Sequence, residues 1–276
     1  MRTIPAEQII RAVKNLCIRT NYFADEKIIN KIKSARDAGL AAHVLDILAQ
    51  NAQTAAEKQI PICQDTGMAV VFVKLGREVF VDGNLEGAIN EGVRQGYKDG
   101  FLRKSVVNDP INRVNTGDNT PAVVHYEITE GDRLELTVAP KGFGSENMSR
   151  IKMLNPSDGI EGVKDFVIHT VKEAGANPCP PIIVGVGVGG TFEKAALMSK
   201  QALTRDIDQP NGDEFWAGIE RQLLEEINSL NIGPAGFGGN TTALAVLINT
   251  YPTHIAGLPV AVNIGCHVTR HGRVVI

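Results

Sequence analysis

Apolar residues recur at helical spacing through the first sixty positions of the chain. One face of the first predicted helix carries Ile9, Ile10, Val13, Leu16 and Cys17. Positions three or four apart lie on the same side of a helix, so this stripe predicts a face turned to a core. A second helix is predicted at about 25–36 and a third in LAAHVLDILAQNAQTAAEK, after Gly39. The pattern therefore predicts a helical segment over residues 1–60.

From residue 61 the pattern changes to short apolar runs separated by glycine-rich turns. The predicted strands are MAVVFVKL, TPAVVHYEI, RLELTVAPK, PPIIVGVGVGG, TTALAVLINT and GLPVAVNIG. Helices are predicted at about 84–99 and 159–174, and in TFEKAALMSKQAL and DEFWAGIERQLLEEINSL. Strands and helices do not alternate regularly, which favours an α+β fold over a doubly wound sheet. We predict a single domain, 1–276, in which the helical segment packs on a mixed α/β body at 61–276.

Composition narrows the functional classes only slightly. The 276 residues carry a net charge of -3, which gives no general attraction to nucleic acid or to an anionic membrane. The longest apolar runs are shorter than the roughly 18 residues that span a bilayer. The start of the chain, MRTIPAEQIIRAVKNL, lacks the pattern of a signal peptide. We therefore expect a cytoplasmic protein that binds neither nucleic acid nor membrane.

Three of the four cysteines share a setting that Cys17 lacks. Cys63 lies in PICQDTG, Cys179 in NPCPPII and Cys266 in VNIGCHVTRH, each at the end of a predicted strand beside proline or glycine. No CxxC occurs, so any shared site must be assembled by the tertiary fold. The residues alone leave three interpretations open. The cysteines are unrelated core residues, or they bind one zinc ion together with His267 or His254, or they hold a [4Fe-4S] cluster with one open iron.

Other glycine-rich segments have weaker implications. GVGVGG at 185–190 formally matches the dinucleotide fingerprint GxGxxG, but no strand ending in an acidic residue follows at the required distance. Two other interpretations of GVGVGG remain open. Its turn binds an anion at the start of the following helix, or its glycines allow that helix to pack closely. KGFGSENMSR and GPAGFGGNTTAL have the composition of binding loops. FLRKSVVNDP supplies Arg103, whose guanidinium suits a carboxylate.

Together these segments resemble one known family. PICQDTG, FLRKSVVNDPINRVNTGDNTPA, KGFGSENMSR, NPCPPIIVGVGVGGTFEKAALMSK, GPAGFGGNTTAL and VNIGCHVTRH occur in the family's order from about residue 10 to the end of the chain. The family comprises the alpha subunits, or N-terminal domains, of class I fumarate hydratases and the related L(+)-tartrate dehydratases. Several of the motifs are long and unusual, so their joint occurrence is specific.

The resemblance implies a cofactor and a set of site residues. It implies a [4Fe-4S] cluster on Cys63, Cys179 and Cys266, with Cys17 outside the pattern. The positions that match the family's substrate-binding residues are Gln64, Asp65, Arg103, Gly144 and His254. Dehydration of malate requires a base for the proton beside a carboxylate, and we assign that role to Asp65, with a threonine of the partner subunit as the alternative.

The resemblance also implies a partner. Family enzymes need a second part that supplies further basic residues, and this chain ends near the point where the alpha part ends. We therefore expect the alpha subunit of an α2β2 heterotetramer, which alone binds the cluster but has little or no activity. The expected substrate is a C4 dicarboxylate, with hydration of fumarate to L-malate as the first candidate and dehydration of L(+)-tartrate as the alternative.

Overall fold

The three helices predicted in the first sixty residues are all present in the computed structural model, which describes residues 1–276. They are α1 (Ala6–Tyr22), α2 (Glu26–Ser34) and α3 (Gly39–Lys58). Asp25 caps α2, because its carboxylate accepts the backbone N–H of Lys27 at 2.8 Å. The predicted apolar stripe of α1 does face a core, and its residue Cys17 is fully buried.

The later predicted elements are also present, and the α+β class is confirmed. The remaining helices are α4 (Leu85–Asp99), α5 (Phe143–Glu146), α6 (Gly159–Ala174), α7 (Phe192–Ala202) and α8 (Glu214–Asn228). The strands are β1 (Arg2–Pro5), β2 (Met68–Gly76), β3 (Val79–Asp82), β4 (Val123–Thr129), β5 (Leu134–Lys141), β6 (Arg150–Leu154), β7 (Ile182–Gly189), β8 (Ala243–Tyr251), β9 (Leu258–Gly265) and β10 (Gly272–Val275). None of the helices combines the length and apolar character needed to cross a membrane.

Four short strands were not predicted: β1, β3, β6 and β10. Each has only four or five residues, too few for a period of two to stand out from chance. β1 also corrects the expectation that the chain is helical from its start. It pairs in parallel with β3, from Arg2 opposite Val79 to Pro5 opposite Asp82. Strand formation at these positions depends on a partner more than seventy residues away, which the local pattern does not contain.

The chain forms two compact units. The first comprises Met1–Ala24, Ala52–Phe143 and Arg270–Ile276, and the second comprises Asp25–Asn51 and Gly144–Thr269. The segment predicted as one helical part, residues 1–60, is thus shared between the two units. The single-domain assignment itself stays a prediction.

In the first unit, a four-stranded sheet in the order β10-β5-β2-β4 is packed against α1 and α4. β2 is antiparallel to β5 and parallel to β4. The two helices approach closely at glycines of α4. A Cβ at Gly92 would lie 2.7 Å from the Cβ of Val13, and one at Gly96 would lie 2.8 Å from the Cβ of Cys17. Cys17 is therefore a core residue at a helix crossing, as its position on the stripe predicted.

The second unit contains a four-stranded sheet in the order β6-β9-β7-β8 with helices on both faces. Ile182, Val184, Val186 and Val188 of β7 pack with residues of α6 and α8. The alternate positions of β7 face the other side, where α2 and α7 pack. β7 is buried along its whole length, which explains why its sequence is apolar without alternation.

The glycines of β7 allow α7 to pack directly on the strand backbone. A Cβ at Gly185 would lie 2.2 Å from the carbonyl oxygen of Ser199, and a Cβ at Gly187 would lie 2.2 Å from that of Ala195. No side chain fits at either position. The GxGxxG match in GVGVGG is thus accounted for by helix–sheet packing, within a sheet whose β7 has an antiparallel neighbour, β9.

We expect Gly187→Ala to lower the free energy of unfolding by about 1–3 kcal/mol or more, the usual cost of overpacking, because the clashing atom is backbone and cannot rotate away. The control is Gly218→Ala in α8, where the nearest atom to an added Cβ is 4.0 Å away. There alanine should stabilise the helix by about 0.5–1 kcal/mol. Urea unfolding measures both, and equal stability of Gly187→Ala and wild type would contradict the packing argument.

Candidate active site

Three of the predicted site residues lie at one edge of the first unit's sheet. Cys63, Gln64 and Asp65 directly precede β2, whose first residue, Met68, pairs with Lys141 at the end of β5. In the same sheet β4 runs parallel to β2 and β10 runs antiparallel to β5, so both begin at this edge. The fold thus gathers the segments before β2, β4 and β10 and the segment after β5.

The carboxylate of Asp65 is oriented by backbone N–H groups from two segments. Its Oδ1 accepts the N–H of Gly67 at 3.0 Å, and its Oδ2 accepts the N–H of Phe143 at 2.9 Å. Gly142 allows this approach, since a Cβ there would lie 3.0 Å from Oδ2. Asp65 is only partly buried, so the carboxylate is held in one direction while it remains open to a ligand.

Buried side chains hydrogen-bond to the backbone of the turn that follows Asp65. The hydroxyl of Tyr97 donates to the carbonyl oxygens of Thr66 and Gly67, at 2.8 and 2.9 Å, and Asn119 Nδ2 donates to that of Gly67 at 3.2 Å. Tyr97 and Asn119 are both fully buried, and burial raises the pKa of the Tyr97 hydroxyl, so that it stays a donor. Position 67 requires glycine, because its φ is +79° and a Cβ would lie 2.7 Å from the N of Lys141.

The segment that contains Arg103 is anchored beside the same turn. The hydroxyl of Thr66 donates to the carbonyl oxygen of Arg103 at 3.1 Å, and Asn119 Oδ1 accepts the N–H of Ser105 at 2.7 Å. The side chains of Arg103 and Gln64 are both exposed. The first unit therefore brings together Gln64, Asp65 and Arg103 as an amide, a carboxylate and a guanidinium on fixed backbone.

In the second unit, Cys179 and Cys266 lie at one edge of the sheet. Cys179 precedes β7 and Cys266 follows β9, and these antiparallel neighbours pair Ile183 with Gly265. Nδ1 of His267 lies 2.9 Å from the carbonyl oxygen of Cys179. A carbonyl only accepts, so in this hydrogen bond Nδ1 carries the proton. The two cysteines were 87 positions apart in the sequence, and the fold places their segments side by side.

The backbone of Cys179 has an uncommon conformation. Its φ is +56°, in the left-handed region that a residue with a Cβ seldom adopts. Such a conformation costs about 1–3 kcal/mol and persists only where the surroundings impose it. Here the carbonyl oxygen of the next residue, Pro180, accepts the N–H of Ala235 at 2.8 Å. The side chain of Cys179 is exposed.

Gly144 and the residues that follow it, up to Ser149, lie at this same edge of the second unit. Gly144 is close to Asn177, whose carbonyl oxygen would be 3.8 Å from an added Cβ. The N–H of Ile264 donates to Ser149 Oγ at 3.2 Å, and Asn263 Nδ2 donates to Glu146 Oε2 at 3.2 Å. Gly144 is therefore brought together with the segments of Cys179 and Cys266.

His254 is not brought to this edge. It lies in the turn between β8 and β9, while Cys266 follows the far end of β9. β9 has eight residues, which extend about 25 Å at roughly 3.3 Å per residue. His254 is exposed, and its Nδ1 accepts the N–H of Ala256 at 3.2 Å. Within the second unit it is at the opposite end of the strand from Cys266, and its substrate-binding role stays a prediction.

The donor set fits an iron–sulfur group better than a core role for all four cysteines. None of the four forms a disulfide. Burial raises the pKa of Cys17 to about 12, so at neutral pH it is a thiol in a core. Cys63 and Cys266 are instead partly exposed and Cys179 is exposed, all near strand ends, where thiolates can act as ligands of iron.

The structure contains no group of three or more His, Cys, Asp or Glu side chains that could hold a single metal ion.

The residues that support the site could not be recognised from the sequence. Tyr97, Asn119 and Arg270 are buried polar residues that bond to the backbone of residues 65–67. Asn119 and Arg270 lie inside two of the family's motifs, in NTGDNTP and CHVTRH. The local sequence does not show that these two side chains are buried, because the backbone groups to which they bond are distant in the chain.

Comparison with known proteins assigns the chain to a family. The family model described as Fumarate hydratase (Fumerase) matches residues 10–275. The chain belongs to the fumarate hydratase family. The resemblance inferred from the motifs is thereby confirmed over nearly the whole length.

Curated relatives carry a different name within the same family. A protein of Methanocaldococcus jannaschii, provisionally named L(+)-tartrate dehydratase subunit alpha, is 40% identical over 258 residues, which cover 90% of each chain. The L(+)-tartrate dehydratase subunit alpha of Escherichia coli K12 is 33% identical over 276 residues, covering 98% of this chain and 91% of the relative. That of Escherichia coli UTI89 is 34% identical over 272 residues, covering 96% and 89%.

Proposed function

We propose that the chain is the alpha subunit of a two-subunit [4Fe-4S] hydro-lyase that reversibly hydrates fumarate to L-malate. The observation that carries the proposal is the family match over residues 10–275. The site agrees with it, because each unit presents predicted site residues at one edge of its sheet. The relatives are dehydratases, which supports the same class of reaction for this chain.

The proposed cluster ligands are Cys63, Cys179 and Cys266. When bound, a cluster with three protein ligands supplies an open iron that acts as a Lewis acid on substrate oxygens. The contribution of this chain is to hold the ligand segments. His267 bonds to the backbone of Cys179, and the hydroxyl of Thr269 donates to the carbonyl oxygen of Cys266 at 2.7 Å.

Asp65 is the proposed base. The reaction removes a proton from the carbon beside a carboxylate, and a base must reach it from a fixed direction. The N–H groups of Gly67 and Phe143 each bond one carboxylate oxygen of Asp65, which fixes that direction. Gln64 and Arg103 extend from the same anchored backbone. The guanidinium of Arg103 suits a substrate carboxylate, and the amide of Gln64 suits its hydroxyl or second carboxylate.

A separately encoded beta subunit is the proposed partner. The relatives in Escherichia coli and Methanocaldococcus jannaschii are named alpha subunits, which supports a second subunit for this chain. We propose an α2β2 heterotetramer in the cytoplasm, with an active site that the beta subunit completes. Neither nucleic acid nor a membrane is required.

Dehydration of L(+)-tartrate to oxaloacetate is a second candidate. The names of the relatives at 33–40% identity favour it. Malate and tartrate are both 2-hydroxy C4 dicarboxylates that lose water across the same two carbons, so one arrangement of Asp65, Arg103 and Gln64 serves either. A third idea, a nucleotide- or anion-binding module built on GVGVGG, loses its main support because packing against α7 explains those glycines.

The cluster assignment predicts a specific spectroscopic pattern. Protein purified without oxygen should be brown, with broad visible charge-transfer absorption and iron and sulfide in equal amounts. We expect Cys63→Ser, Cys179→Ser and Cys266→Ser each to lose that absorption, since each removes a thiolate ligand. Cys17→Ser is the matched control and should keep it, because Cys17 is buried between α1 and α4. Failure of wild type to take up a cluster on reconstitution would refute the assignment.

Activity should require both subunits. We expect the complex co-expressed with the beta subunit to hydrate fumarate and dehydrate L-malate, with the isolated chain inactive or nearly so. Steady-state assays with fumarate, L-malate and L(+)-tartrate under anaerobic conditions measure this. A kcat/KM for L(+)-tartrate well above that for L-malate would replace the first candidate by the second, and no activity on any of the three would overturn both.

The role of Asp65 predicts a loss of turnover without loss of cofactor. We expect Asp65→Asn to lower kcat by about 10²–10⁴-fold, the usual contribution of a general base, with unchanged iron content. Asp109→Asn is the matched control. Asp109 is also a loop carboxylate that accepts two backbone N–H groups, from Ile111 and Asn112, at 2.9 and 2.6 Å. Near wild-type kcat in a cluster-loaded Asp65→Asn enzyme would assign the base elsewhere.

A further inference from the structure

Arg270 is a buried guanidinium beside the candidate base. Its exposure is only 7%, and its Nη2 donates to the backbone carbonyl oxygen of Asp65. Arg270 follows Cys266 by four residues and directly precedes β10. It therefore reaches the Cys63–Asp65 segment from another part of the same sheet edge in the first unit.

Two of the three nitrogens of the Arg270 guanidinium have no hydrogen-bond partner. Its Nε and Nη1 are both buried and have no hydrogen-bond partner, and its one acceptor is a neutral carbonyl. Two nitrogens with three N–H groups thus lie out of water without compensation. Burying an unpaired charge costs several kcal/mol, so native chains seldom contain one without a function.

No neighbouring side chain hydrogen-bonds to Nε or Nη1 of Arg270. One titratable group on which this charge acts is Tyr97. Burial raises the pKa of the Tyr97 hydroxyl, while the positive charge of Arg270 acts in the opposite direction. The hydroxyl donates to Thr66 and Gly67, so it is protonated and carries no negative charge. Asp65 offers Arg270 its carbonyl oxygen, and its two carboxylate oxygens accept the N–H groups of Gly67 and Phe143 and no N–H of Arg270.

We propose that Arg270 is a positioning residue of the site, which fixes the Cys63–Asp65 segment through the Asp65 carbonyl and whose buried charge is balanced by the anionic iron–sulfur group on that segment. The inference rests on the proposed function. Thiolates and sulfides make such a group negative, and a fixed cation stabilises it, more so after it gains an electron. The charge therefore raises the reduction potential and retains the cofactor.

The test uses the alpha–beta complex with four alpha subunits: wild type, R270Q, R270K and the control R273Q. Glutamine keeps a donor for the Asp65 carbonyl but removes the charge, and lysine keeps the charge. Arg273 is three residues further along, exposed and paired with Glu135, so it controls for loss of an arginine. The measurements are the midpoint potential of the cluster by EPR-monitored titration, the rate of iron loss to a chelator, and the unfolding temperature of the metal-free complex.

We expect R270Q to shift the potential to more negative values and to lose iron at least tenfold faster, with an unfolding temperature of the metal-free complex equal to or above that of wild type. R270K should restore the potential, and R273Q should match wild type throughout. A purely structural arginine gives the reverse pattern, with an unchanged potential and a less stable metal-free complex, and that result overturns the inference.

Two further outcomes are also decisive. If R270Q does not fold, R270K decides the question. A potential and an iron-loss rate equal to those of wild type support the inferred role of the positive charge. A shifted potential overturns it. If wild type itself binds no cluster, the proposed function fails rather than the role of Arg270. In that case a metal-free R270Q complex less stable than wild type shows Arg270 to be structural.

Discussion

The turn formed by Asp65, Thr66 and Gly67 depends on the pairing of three successive backbone carbonyls. These accept hydrogen bonds from Arg270, from Tyr97, and from Tyr97 with Asn119. Irregular backbone inside a protein is stable only when its N–H and C=O groups form hydrogen bonds. The carbonyl oxygens of this turn form theirs with side chains and not with a neighbouring strand. The three donor side chains come from α4 (Tyr97), from the segment before β4 (Asn119) and from the segment before β10 (Arg270). The direction of the Asp65 carboxylate, and hence the candidate chemistry, follows from that pairing.

Glycines give both units their close contacts. In the first unit Gly92 and Gly96 let α4 cross α1, and in the second Gly185 and Gly187 let α7 lie against β7. In each case the neighbour is a Cβ or a backbone carbonyl that cannot move aside. The same residue type at the active-site turn, Gly67, serves a different purpose, since it combines a positive φ with contact to the β5 backbone. Gly185 and Gly187 of GVGVGG are therefore packing residues, and the match of this motif to a nucleotide fingerprint is incidental.

Much of the fold could be predicted from local pattern, because the long elements bury a continuous face. α1, α6 and β7 are recognisable from their own residues. β1, β3, β6 and β10 are not, since a strand of four or five residues forms only where another strand supplies its hydrogen bonds. The candidate site divides in the same way. Cys63, Cys179 and Cys266 could be distinguished from Cys17 by their flanking proline and glycine, but Tyr97, Asn119 and Arg270 could not be recognised as supports of the turn.

The sequence by itself determined the fold class, the elements that bury a full face, the family and the set of residues able to carry chemistry. These depend on residue type and spacing, which are local properties. Only the tertiary structure decided which of those residues meet. It placed the segments of Cys179, Cys266 and Gly144 at one sheet edge and left His254 at the far end of β9. It also turned the Arg270 guanidinium inward to the Asp65 carbonyl, because strand order and register, rather than distance along the chain, set which segments share an edge.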